Sequence, residues 1–118
     1  MGDGRGPVTD ATELLDLWDA GATPDRFAVK AAVKASLAIL VETAPGHAVE
    51  VRVPPYAAVQ AIEGTRHRRG TPPAVVECEA RTWLALATGR LAWADAVADG
   101  RVRASGERSD LSAHLPLA

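Results

Sequence analysis

The chain holds a single cysteine, Cys78, among 118 residues, so an internal disulfide is impossible and no metal site can be built from paired thiols. A reducing, cytoplasmic setting fits that usage. Aromatics are scarce as well, with one Phe, one Tyr and three Trp making up 4 % of the residues. Combined with a formal net charge of −2, this scarcity leaves neither the basic field nor the interleaved stacking platform on which nucleic acids bind. No nucleic-acid partner is expected. No apolar run approaches the roughly 18 residues of a membrane span, and the opening MGDGRGPVTD lacks a basic segment followed by an apolar one. The expectation is a chain neither exported by that route nor embedded in a membrane.

Catalytic equipment is equally thin. His47, His67 and His114 show no metal-ligand spacing, and none of Ser36, Ser105, Ser109 and Ser112 sits in a G-x-S-x-G elbow. GDGRG superficially resembles a phosphate loop but follows no strand. Cys78 lies on the apolar side of an alternating run and reads as a buried, inert thiol rather than a nucleophile. Glu77 and Glu79 share a strand face where paired carboxylates can share a proton, although an exposed sheet face is the plainer account of them. Neither an enzyme nor a cofactor is expected.

What is present has the composition of a globular protein, 47 % hydrophobic and 24 % charged, in a length that suits one domain. Residues 1–8, with Gly2, Gly4, Gly6 and Pro7, read as a flexible tail and residues 9–118 as a single domain. TDATELLDLWDAG predicts a helix over 9–21, begun at Thr9 or Asp10 and stopped by Gly21, with its packing left open. A long helix is predicted over 24–43, capped by Thr23 with Pro24 in its first turn and with Val29, Val33, Leu37 and Leu40 as its buried stripe. VEVRV alternates as a strand over 48–53. A second strand over 56–63 should pair antiparallel with it across Pro54 and Pro55 and be covered on both faces. The basic stretch GTRHRRGTPP is a loop, and a third strand follows over 74–79. Thr82 should cap a short helix stopped by Gly89, and a second short helix should stop at Gly100. A strand over 101–105 then leads to a last helix capped by Ser109 and ended by Pro116. The order predicts an α+β fold, helices packed on one face of a small, mainly antiparallel, twisted sheet.

The final third, TWLALATGRLAWADAVADGRVRASGERSDL, resembles the sterol carrier protein family, whose domains close with a helix, a second short helix, a glycine and a strand leading to a last helix. More closely, residues 49–117 are similar to the bacterial, mostly actinobacterial, sterol carrier domain, and the long helix ahead of them fits it too. The resemblance implies an apolar cleft between sheet and helices that sequesters a lipid or similar apolar molecule without catalysis. The two glycine-stopped helices would then be walls and lid. On that reading Val51, Val53, Trp83, Leu86, Leu91 and Trp93 border the cleft. Arg66, Arg68 and Arg69 would contact an anionic head group, because guanidinium forks bind oxyanions bidentately. The same apolar residues also suit a plain core, and the same arginines a solvated loop. One Met and one Phe depart from the lining of an adaptable lipid tunnel, so the alanine-rich helices are expected to shrink the cavity. The alternative is an interaction or regulatory module on the same fold with a closed cleft. It would dock a protein partner or its own copy, as a homodimer, through Leu14, Leu17 and Trp18.

Overall fold

A computed structural model describes residues 7–64, 74–106 and 109–117. Helices α1 (Pro7–Asp19) and α2 (Arg26–Thr43) come first, followed by strands β1 (Val49–Val53), β2 (Ala57–Ala61) and β3 (Ala74–Cys78). Then come α3 (Ala80–Thr88), α4 (Trp93–Ala98), β4 (Val102–Ser105) and a 3-10 turn over Ser112–His114. The expected order holds, and the fold is α+β.

Asp25 opens α2. Its backbone is extended, with φ −58° and ψ 130°, and its Oδ2 accepts the Ala28 N–H at 3.1 Å. This replaces the expected start at Thr23 and Pro24. Both Thr23 and Asp25 can cap, but the carboxylate meets an orphan N–H at the positive end of the helix, and Pro24 is buried just outside it. Val29, Ala32, Val33, Ser36, Leu37 and Leu40 are buried, the three-and-four spacing of one helical face. They share a core with Val49, Val51 and Val53, all fully buried on β1. Between those valines Glu50 and Arg52 project to the opposite, polar face and pair at 3.0 Å.

The strand order is β2-β1-β3-β4. β1 pairs antiparallel with β2 and parallel with β3, and β4 pairs antiparallel with β3. The sheet is therefore mixed, antiparallel at two of its three joins. β2 lies at an edge, where Ala58 and Gln60 are exposed, so the cover expected on both of its faces is not found. α2 packs on β2 and α3, α1 packs on α2 and α3, and α4 packs on β4.

Helix ends depart from expectation where the core claims a residue. α1 starts at Pro7, inside the stretch assigned to a tail, and a proline in the first helical position sacrifices no hydrogen bond. α3 begins at Ala80, directly after an extended Glu79, rather than at Thr82, because Ala80 is itself part of the core. Gly89 ends it at φ 84°, a left-handed position that a Cβ disfavours. The last helix shrinks to the 3-10 turn, with Asp110 Oδ1, not Ser109, accepting the Ser112 N–H at 2.8 Å. Leu111 and Leu117 are both buried on either side of it, and the Leu117 N–H reaches the Ala87 carbonyl at 2.9 Å. A longer helix would carry Leu117 away from α3.

One end of the sheet is tied across the chain. The Ile62 N–H donates to Ala44 O at 2.7 Å, the Ala48 N–H to Ile62 O at 3.0 Å, and the Ala74 N–H to Ala48 O at 3.0 Å. Gly46 turns there at φ 148°, where any Cβ would overlap the Ile62 carbonyl.

Candidate functional site

Val51, Val53, Trp83 and Leu86 lie in the closed core, none more than 1 % exposed. The Trp83 indole N–H donates to Ser36 Oγ at 2.9 Å, and the Ser36 hydroxyl donates to Ala32 O at 2.7 Å. Among the described residues no buried side-chain polar atom is left without a partner. Leu91 and Trp93 are half-buried at the edge of this core. Of the docking candidates, Leu14 is buried, Trp18 half-buried and Leu17 exposed. Arg66, Arg68 and Arg69 lie outside the described residues.

A groove of about 1260 Å³ opens beside α1, α3 and the turn between β1 and β2. Its apolar wall is Leu15 of α1, Ala85 of α3, Leu91, and the Pro54 and Pro55 turn. Of the described residues expected at a ligand cleft, Leu91 alone lines it, joined by Glu77, Cys78 and Glu79 of β3 and its end. Asp19 accepts from Arg81 at 2.9 Å and from Arg90 at 3.3 Å, and Arg90 also reaches Asp16 at 2.5 Å. These pairs fasten α1 to α3 and the residue pair that follows it. Arg101, also at the groove, pairs with Asp99 at 3.0 Å. Glu77 sits between Arg52 and Arg103 in the strand registers.

Cys78 faces this groove from the end of β3. Burial, reinforced by the charges of Glu77 and Glu79, pushes its thiol up to about 12. The thiol is therefore neutral near pH 7 and acts as apolar wall, not as a nucleophile. No cluster of three or more His, Cys, Asp or Glu able to hold a metal exists among the described residues. The groove can accept apolar matter with a polar end, and among the described residues its one thiol, Cys78, is held protonated beside Glu77 and Glu79.

Sequence reasoning missed Leu15, Asp19, Arg81 and Arg90. The ion pairs of Arg81 and Arg90 with Asp16 and Asp19 span 62, 71 and 74 residues, and no local periodicity links positions so far apart. The one available signal was Asp16 and Asp19, three apart on one edge of α1.

Residues 25–117 match the family described as bacterial SCP ortholog. The chain belongs to that family. The match bears out the sterol carrier resemblance read from residues 49–117 and from the long helix ahead of them. Pro54, Pro55, Ala85 and Leu91 of the groove fall within the matched stretch, whereas Leu15 and Asp19 on α1 precede it. No curated protein matches the chain. Among the described residues no helix is long and apolar enough to cross a membrane.

Proposed function

We propose that this domain is a non-catalytic carrier, working in the cytoplasm, that takes the chain of an apolar ligand into the groove beside α1 and α3. The observation that carries the reading is a groove of about 1260 Å³ with an apolar wall of Leu15, Ala85, Leu91, Pro54 and Pro55, in a member of a sterol carrier family. Ligand sites of drug-sized molecules span about 300–1,000 Å³, so the space suits a lipid-sized guest. Removal of its apolar surface from water supplies about 25 cal/mol per Å², before the costs of association. Arg81, Arg101 and Arg103 stand at the rim for a polar end, and Arg66, Arg68 and Arg69 are proposed as further head-group contacts. Val51, Val53, Trp83 and Leu86, buried in the core and not in the groove wall, and Trp93 at the core's edge would act only by keeping the helices and sheet around the groove rigid.

Titration with a long-chain fatty acid or acyl-CoA tests the reading by calorimetry. Saturable binding is expected, weakened at least about tenfold by Leu91→Asp, which places a charge in the apolar wall. Replacing Arg66, Arg68 and Arg69 together by alanine should weaken anionic ligands more than neutral ones. Absence of saturable binding across acyl, sterol and isoprenoid ligands would refute the carrier reading.

A further inference from the structure

Two guanidinium groups converge on one carboxylate at the large groove. Asp19, the last residue of α1, accepts from Arg81 through Oδ1 at 2.9 Å and from Arg90 through Oδ2 at 3.3 Å. All three residues line the groove, beside the apolar Leu15, Ala85 and Leu91. Two guanidinium groups set around the two oxygens of a carboxylate form an oxyanion site, and a side chain of the protein itself occupies this one. That occupant is loosely held. The three side chains are between 34 and 60 % exposed, a setting in which an ion pair is worth about 0–1 kcal/mol. The carboxylate also stands at the negative end of the α1 dipole, where an acidic side chain is disfavoured. Arg90 has further holds on α1, donating to Asp16 Oδ1 at 2.5 Å and to the Thr12 carbonyl at 3.5 Å, so it keeps its place when Asp19 leaves. The remaining charges of the groove lie elsewhere: Arg101 pairs with Asp99, Glu77 sits between Arg52 and Arg103 in the strand registers, and Glu79 is exposed ahead of α3.

We infer that Arg81 and Arg90 are the head-group site for an amphiphile that ends in a carboxylate or phosphate, and that Asp19 is a displaceable stand-in for that head. The inference rests on the carrier reading, and it adds the ligand class and a control built into the site. An incoming oxyanion replaces the Asp19 carboxylate charge for charge, leaving both arginines compensated before and after entry. A neutral head cannot make that exchange and leaves Asp19 in place. Selection thus comes from two arginines that are never left bare, while the apolar chain of the ligand lies along Leu15, Ala85 and Leu91.

Calorimetric titration of the full chain with laurate and with dodecanol, which share a chain and differ in the head, tests the inference. Laurate should bind at least about tenfold tighter, the scale of one charge-assisted contact. Arg81→Gln/Arg90→Gln should bring the two ligands to within about threefold of each other. Asp19→Asn, which removes the stand-in and leaves both arginines, should raise the preference for laurate at least about threefold. Glu42→Gln takes one negative charge from an exposed site on α2 that does not line the groove, and it should leave the preference unchanged. Equal binding of laurate and dodecanol by the wild type overturns the inference while the carrier reading stands, whereas binding of neither refutes both. A preference that survives loss of the two arginines overturns the site. An Asp19→Asn chain whose preference is unchanged, reduced or matched by Glu42→Gln overturns the stand-in. Should the double variant fail to fold, Arg81→Gln alone, which breaks one exposed pair, decides. Displacement of laurate by inorganic phosphate at equal concentration overturns the amphiphile in favour of a free anion.

Discussion

Replacing Ser36 with alanine isolates one buried hydrogen bond whose cost follows from its geometry. Trp83 is fully buried, and its indole N–H rests on Ser36 Oγ at 2.9 Å. In Ser36→Ala that N–H remains buried with its acceptor gone, a penalty of about 1–3 kcal/mol. The serine's own contacts with the Ala32 and Val33 carbonyls, at 2.7 and 3.0 Å, matter less, because helix N–H groups already use those carbonyls. Alanine's better helix propensity offsets about 0.5 kcal/mol. The net loss should be about 1–2 kcal/mol, or roughly 1 M in the urea midpoint at the slope usual for small proteins. Trp83→Phe should cost more, about 2–4 kcal/mol, through lost volume, but it strands no donor. In the double variant the stranded N–H is absent. The two losses together should therefore fall short of their sum by about 1 kcal/mol or more. Urea unfolding followed by circular dichroism measures all four corners of the cycle. Losses that add to within about 0.5 kcal/mol would refute the reasoning.

Two glycines should behave differently despite sharing positive φ: Gly46→Ala forces a Cβ into the Ile62 carbonyl and should cost about 3 kcal/mol or more. At Gly100, by contrast, the space is open and alanine should cost only the left-handed strain of about 1–2 kcal/mol; urea midpoints compare the two. The Cys78 thiol, at about 12 in the fold against an ordinary 9.0, keeps its proton where the unfolded chain gives it up. Its stabilising contribution is therefore full below the unfolded value and lost as pH rises through that window toward the folded one. The thermal midpoint should fall less steeply with alkaline pH in Cys78→Ala than in the wild type, and iodoacetamide should label Cys78 only on unfolding. Arg90→Ala removes exposed pairs to Asp16 and Asp19, worth about 0–1 kcal/mol in all. Global stability should change little while hydrogen exchange accelerates in α1.

The parts legible in the sequence were those fixed by neighbours a few residues apart. Val29, Val33, Leu37 and Leu40 repeat at helical spacing, Val49, Val51 and Val53 alternate, and all are buried as that periodicity required. Gly89 and Gly100 both take positive φ as helix stops. Less legible were choices between equivalent local signals, as when Asp25 rather than Thr23 caps α2 and Asp110 rather than Ser109 accepts the Ser112 N–H ahead of the last turn. Illegible altogether was the parallel joining of β1 to β3, which places β2 on an edge. The walls of the large groove were equally hidden, because Leu15 and Ala85 come together through helix packing that no short-range pattern encodes.

Ala48 has a consequence for engineering that follows from its two attachments. A Cβ at Gly64 would stand 2.8 Å from the Ala48 Cβ, and the Ala74 N–H binds the Ala48 carbonyl at 3.0 Å. The chain leaves the sheet and returns to it at the same residue, like a thread passed twice through one eyelet. Register is thereby pinned at the eyelet, because Ala74, held by the Ala48 carbonyl, is the first residue of β3 and pairs with Val49 of β1. A larger side chain at Ala48 therefore disturbs both attachments at once, the close approach to Gly64 and the start of β3.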